Sequence, residues 1–491
     1  MPVVDARDWT TPVGHTMFFH DYPWPPRSWP PLVRRRPFGL HAHARHAWAV
    51  IATLCVGVLA LPPAGVSAQR QPARDGASLE ALIAMATASN PTLRAAQFRV
   101  DAMRARVGPS GLRPDPMLMV GLRDFPLSRP GFYDNFTIKM VGISQTVPYP
   151  GKLGLDRRIA SRDVDASAAA LRTTMLDISR DVRTAYFELA FLDRALEIVG
   201  RNRDVLVDVI KVTESRYSVG QSAQADVLRA RVEAGRLAEQ AVILTEQRRA
   251  VLAGMNATLD RPTDTPLDSV RLPLRISQAA VADSVSGIRF VTAALGARVS
   301  GSPVPSTAAL ETMALQFSPR LLEQQAVVVA YAERTERARK EHLPDFDVAL
   351  EYGQRSGFTD FVTASVSIPL RLQKGARQEQ LVIGARAELA AQEAELATRR
   401  NAMRADVARL ASELERQRAQ LALYKTAVIP QGRAALTSAL ASYQVGRVEF
   451  LTLLENQATL FNYETEYFRV LTDFAKTLAE LERVVGKELL P

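Results

Sequence analysis

The chain has 491 residues, 47% hydrophobic and 23% charged, with 26 glycines, 29 prolines and one cysteine, which excludes a disulfide framework, a thiol zinc site and an iron–sulfur cluster. Mean hydropathy is near zero, and the apolar run 47–61 falls short of the roughly 18–20 residues a spanning helix needs, so a polytopic helical membrane protein is excluded. The formal charge of +9 drops to +6 past residue 68, because six arginines and three aspartates precede that point. What remains is interspersed, without the footprint of a nucleic-acid binder.

Residues 1–68 read as a signal peptide with an N-terminal extension, removed on export. Arg34, Arg35, Arg36 and Arg45 supply the positive region, Trp48 to Leu61 the apolar region, and Val66-Ser67-Ala68 a cleavage site that starts the mature chain near Gln69. Cys55 follows Leu54 in mid-run, not a small residue at the end of the run, so it lacks the setting for lipid attachment. His41, His43 and His46 resemble a metal cluster but precede the cleavage site.

In chain order the pattern predicts a helix over Ser78 to Arg106 and strands over about 115–125 and 135–147. A very long helix over Lys152 to Ser215 and a helix over Ala223 to Leu259 follow. A connection rich in Pro, Ser and Thr covers 260–305. Then come a helix over Ser306 to Glu341, strands over about 344–354 and 358–371, a long helix over Ala376 to Ala441 and a last helix over Glu449 to Lys487. The two halves, 69–259 and 306–491, are copies of one plan. Asn90-Pro91-Thr92-Leu93 recurs as Ser318-Pro319-Arg320-Leu321, Arg113-Pro114-Asp115 as Leu343-Pro344-Asp345, and Arg216-Tyr217-Ser218-Val219-Gly220 as Ser442-Tyr443-Gln444-Val445-Gly446.

Leu171, Met175, Ile178, Val182, Ala185, Leu189, Leu192, Leu196 and Val199 step by alternating fours and threes, a coiled-coil seam. Met403, Val407, Leu410, Leu414, Gln417, Leu421, Tyr424 and Val428 repeat it, and Pro430 should kink that helix because it lacks an amide donor. The short runs alternate instead: Leu118, Val120 and Leu122 with Met119, Gly121 and Arg123, or Val362, Ala364 and Val366 with Thr363, Ser365 and Ser367. A period of two gives a strand one apolar and one polar face. With an export signal, and lengths near the roughly 9–11 residues that cross a membrane as tilted strands, these read as barrel strands. Four cannot close a barrel. The expected fold is therefore mainly α with a transmembrane β-barrel contribution, four strands per chain completing a 12-stranded barrel in a homotrimer over a long α-barrel.

These residues resemble the TolC-like outer-membrane efflux proteins. The matching features are Asn90-Pro91, the run from Ser144 to Leu153 that contains Pro148-Tyr149-Pro150-Gly151-Lys152, and the paired Tyr-Ser-Val-Gly and Tyr-Gln-Val-Gly turns. The resemblance implies a passive trimeric duct that crosses the outer membrane as a barrel and the periplasm as helices. Its partners would be outer-membrane lipid, a periplasmic adaptor and an inner-membrane efflux pump. It implies adaptor contact at the hairpin tips, Arg216, Tyr217, Val219, Gly220, Tyr443, Val445, Gly446 and Arg447, and an entrance ring at Asp226 and Glu455, with Thr452 where some relatives carry an acid. Pro150, Gly151 and Lys152 mark where the second strand enters the long helix. The Pro-Gly-Lys-Leu run and Pro430-Gln431, followed by the segment Ser442 to Leu454, look most like the heavy-metal branch, with drug efflux or type I protein secretion as alternatives. A secreted coiled-coil structural or adhesion protein would explain the heptads but not the strands. There is no catalytic motif, metal site or cofactor motif, and His342, the one histidine past the leader, reads as a surface residue.

Overall fold

The computed structural model describes residues 78–127, 135–281 and 304–490. The leader, the predicted cleavage site and parts of the 125–135 loop and the 260–305 connection lie outside the described residues.

Each half begins with a helix that breaks in two. Helices α1 (Leu79–Ser89) and α2 (Pro91–Ser110) meet at Asn90, and α6 (Thr307–Phe317) and α7 (Pro319–Arg339) meet at Ser318. The periodic pattern reads each as a single helix; the prolines overrule it. A residue before proline is pushed out of the helical region, and Asn90 and Ser318 are both extended, with ψ 123° and 114°. Asn90 then caps α2, its Oδ1 accepting from the amides of Thr92 and Leu93 at 2.9 and 3.3 Å.

Helix α3 runs Lys152–Ser218, 67 residues, or roughly 100 Å at 1.5 Å per residue; α4 (Gln224–Thr258) returns beside it. In the second half a π-turn, Lys374–Glu379, leads into α8 (Gln380–Leu423), and a second π-turn, Tyr424–Val428, precedes α9 (Ile429–Gln444). That second turn is how the helix meets Pro430: the regular ladder gives way just before the residue with no amide to donate. Helix α10 (Phe450–Val485) closes the chain.

The seam residues of α3 from Ile178 onward are buried or half-buried, as is the Met403–Leu421 series of α8. Met175 departs from the expected seam at 44% exposure. One core gathers α3, α8 and α10 against α1, α6 and α5 (Leu274–Val281), through Leu82, Phe187, Ile276, Leu310 and Phe474. A second joins the far half of α3 to α4, α9 and α10. The segment before α5 is tied down by polar contacts: Asp193 on α3 accepts from Arg248 Nε at 2.6 Å and from the Val270 amide at 2.8 Å, and Arg248 Nη2 donates to Leu267 O at 3.1 Å.

The last helix of each half ends on the break in its first helix. Asp260 (φ 55°) and Gly486 (φ 83°) sit 226 residues apart, both left-handed. Ser89 Oγ donates to Leu259 O at 2.9 Å and Asn90 Nδ2 to Thr258 O at 2.8 Å. In the second half the fit is tighter, since a Cβ on Gly486 would lie 2.4 Å from Phe317 O; there only glycine serves.

The strands β1 (Met117–Arg123), β2 (Ile138–Val147), β3 (Phe346–Arg355) and β4 (Phe361–Ser367) form one antiparallel sheet in the order β1-β2-β3-β4. β1 and β4 are shorter than the alternation predicts: β1 pairs only as far as Ser144 although β2 runs on to Val147, and β4 only as far as Gly353 although β3 runs on to Arg355, the central strands keeping each other as partners beyond those points. Register puts Leu118, Val120, Val141, Ile143, Leu350, Tyr352, Val362 and Val366 on one face. These side chains are exposed, Val120 to 75% and Leu118 to 74%. The other face carries Arg123, Ser144, Glu351, Thr363 and Ser365, with Arg123 and Glu351 3.9 Å apart.

Candidate functional site: the hairpin tips and the strand-to-helix junction

The two tips are built alike. α3 ends at Ser218 and α9 at Gln444, each followed by Val and a left-handed glycine, Gly220 and Gly446, both at φ 75°. In the first tip the Gln221 amide reaches back to Arg216 O at 2.8 Å and the Gly220 amide to Tyr217 O at 3.0 Å. In the second, Arg447 N reaches Ser442 O at 2.9 Å and Gly446 N reaches Tyr443 O at 3.0 Å. Such paired closures satisfy carbonyls that a helix end leaves open.

The side chains break the symmetry. Arg216 donates to the Tyr443 carbonyl across the gap and to Gln221 O at 3.2 Å in its own tip, and its guanidinium lies 4.8 Å from the centre of the Tyr443 ring. Tyr443 is buried, packs against Phe450 at 5.6 Å and donates its hydroxyl to Thr213 Oγ1 at 3.3 Å. Arg216, Tyr443 and Gly446 are thus brought together into one tie between tips, with Thr213 a partner that sequence reasoning missed. Tyr217, Val219, Val445 and Arg447 are left exposed.

Asp226 lies in the first turn of α4, mostly buried, 3.7 Å from Arg229; a carboxylate there is favoured by the helix dipole. Thr452 and Glu455 are exposed on the first turns of α10, and Thr452 O accepts from Asn456 Nδ2 at 2.9 Å.

At the other end of α3, Pro150 is exposed, Gly151 takes φ 88°, and Lys152 opens the helix completely buried. A cation at a helix N-terminus opposes the dipole and loses its hydration. Two carboxylates offset this: Lys152 Nζ is 2.8 Å from Asp345 and 3.6 Å from Glu341. Asp345 also accepts from the Tyr149 amide at 2.7 Å. Glu341 pairs with Arg337, which reaches Asp156 at 2.8 Å, and Arg371 donates to the Glu341 carbonyl and to Leu343 O at 3.2 Å. Burial pushes the Asp345 and Glu341 carboxyls up, but the Lys152 bond to Asp345 and the Arg337 bond to Glu341, with the surrounding cations, hold both below their ordinary values. The recurrence of Pro-Asp before the first strand of each half was the available signal for Asp345. His342 lies half-buried in the 3₁₀ turn Lys340–His342. Among the described residues no group of acids, histidines and cysteines could hold a metal ion, and no helix is long and apolar enough to cross a membrane.

A four-stranded sheet with one exposed apolar face, set between helices of roughly 100 Å, defines a TolC-like channel subunit. The chain belongs to the outer membrane efflux protein family, whose model matches residues 82–257 and again 310–487; its members are channels, and the protein is not an enzyme. It is similar to the cobalt-zinc-cadmium resistance protein CzcC of Cupriavidus metallidurans, 22% identical over 415 residues that cover 84% of this chain and 90% of that one. Protein CyaE of Bordetella pertussis is 27% identical over 364 residues, 70% of each. In fold the chain matches the outer membrane protein VceC of Vibrio cholerae (TM-score 0.67, 17% identity, covering 84% of this chain and 97% of that one) and CusC (TM-score 0.68, 15% identity, 83% and 92%).

Proposed function

We propose that three copies of this chain form a passive duct that spans the outer membrane as a 12-stranded barrel and the periplasm as a helical tunnel, exporting heavy-metal cations delivered by an inner-membrane pump through a periplasmic adaptor. The observation that carries the duct is the sheet: its apolar face is exposed and both its edges, β1 and β4, have no strand partner among the described residues. Lipid takes the face and neighbouring copies take the edges, since a barrel leaves no edge open. The likeness to CzcC supports metal cations as cargo. The exposed tip residues Tyr217, Val219, Val445 and Arg447 offer the adaptor its contact, and Asp226 and Glu455, with Thr452 beside them, surround the periplasmic entrance, where carboxylate rings attract cations. The second reading, drug efflux or protein secretion, predicts a different phenotype. Deleting the gene from its host should sensitise cells to cobalt, zinc and cadmium, with wild-type chain restoring growth and Asp226→Asn restoring it less. Sensitivity to dyes and detergents with unchanged metal tolerance overturns the metal reading.

A further inference from the structure

Resting on the trimer reading, the internal duplication identifies one contact between copies. Within the chain, the second strand of the first half meets the first strand of the second half: β2 pairs with β3, Val147 opposite Phe346. Just beyond that pair, Asp345 accepts from the Tyr149 amide and from Lys152 at the start of α3. The same parts occur at the two free edges. Leu343-Pro344-Asp345 before β3 has its counterpart in Arg113-Pro114-Asp115 before β1, and Val147-Pro148 after β2 in Ile368-Pro369 after β4, with Lys374 opening the helical run that follows.

Carrying the β2–β3 register over to β4 and a neighbour's β1 sets Leu118 opposite Val366, Val120 opposite Ala364 and Leu122 opposite Val362. On the apolar face each of these residues then meets an apolar one, so that exposed face continues across the seam without a slip; a shift of one residue would put the face out of phase. Beyond the register, Asp115 falls where Asp345 sits and Lys374 falls one residue past the place of Lys152. Asp115, Lys374 and Arg377 are exposed, and none has an ion pair within its own chain among the described residues.

We infer that Asp115 of one copy binds Lys374 of the next at the base of the sheet, repeating between chains the Asp345–Lys152 joint made within each chain, so that three such pairs close the ring where strands become helices. Arg377, one turn along, is the neighbouring cation on the same rim.

The test uses the full-length chain in a Cys55→Ser background. Asp115→Cys with Lys374→Cys, oxidised in membranes, should convert the denatured monomer band into covalent dimer and trimer that a reducing agent abolishes; either cysteine alone should stop at a dimer or not link. Asp115→Lys should lower the temperature at which the trimer dissociates on a detergent gel, and adding Lys374→Asp should restore it. A trimer that stays intact on native gels, fails to cross-link and shows no charge-swap rescue overturns the contact alone. Loss of any trimer in the parent chain overturns the assembly reading with it. Cross-linking of Asp115→Cys to Arg377→Cys but not to Lys374→Cys overturns the choice of lysine.

Discussion

Lys152 is the residue on which the strand-to-helix junction turns. It is fully buried at the positive end of α3, and its charge is supportable there because Asp345 and Glu341 close around it. Removing the cation leaves Asp345 with only the Tyr149 amide while Glu341 keeps Arg337, so Lys152→Met should cost about 3 kcal/mol, the low end of the range for breaking a buried pair from one side. The pH dependence has a definite sign. Both carboxyls titrate below their ordinary values in the folded chain, so their stabilisation is fully present above the ordinary carboxylate range. It is lost as pH falls through the depressed folded values. Wild-type chain should lose denaturant resistance between about pH 5 and pH 2, and Lys152→Met, already without the Asp345 pair but still holding Glu341 against Arg337, should show a partly flattened profile over the same window. A parallel loss in both proteins would show that other groups carry the acid sensitivity.

At the scale of elements, the two tips are equal in backbone and unequal in attachment. Gly220 and Gly446 reverse the chain in the same way, but Arg216 reaches from the first tip to the second, and nothing at Ser442, its counterpart, reaches back. Arg216→Ala removes a charge-assisted bond to a carbonyl and a stacked contact worth about 0.5–1 kcal/mol at a partly exposed site. Limited proteolysis should then cut faster between Gln444 and Glu449, with the first tip unaffected, and Arg216→Lys should not restore protection, since an ammonium lacks the planar fork. The long helices were readable because the heptad of α3 and α8 fixes their buried stripe over many turns. Their breaks were not, because Asn90-Pro91 and Ser318-Pro319 sit inside an apolar pattern that continues past them; the extended pre-proline residue was the signal, and periodicity concealed it. The paired glycines of the tips announced themselves by recurrence, whereas the tie between them depends on a side chain, Arg216, whose target is a backbone carbonyl 227 residues away and leaves no mark in sequence. The segment around Val270 is held by Asp193 in the same hidden manner.

For the whole molecule, the decisive asymmetry is between the two faces of the sheet. Val141 lies mid-strand on the apolar face, opposite Val120 and Tyr352, and is half exposed; Met140, the next residue, points to the face that carries Arg123 and Glu351. In a barrel these neighbours meet different solvents, hydrocarbon for Val141 and the aqueous lumen for Met140. An arginine at the bilayer midplane costs about 2–4 kcal/mol, and a closed trimer incurs that cost three times over, so Val141→Arg should deplete the heat-modifiable trimer from outer-membrane fractions. Met140→Arg should assemble normally and instead change conductance in planar bilayers, because three added cations then stand in the pore. If the sheet packed on protein instead of lipid, both arginines would be tolerated or rejected according to local space, and the alternation between adjacent positions would vanish. The contrast therefore tests the barrel itself, independently of what passes through it, and it uses the one property of these strands that composition hides: which face each side chain occupies, since polar residues such as Arg123, Glu351, Thr363 and Ser365 gather opposite the valines and leucines.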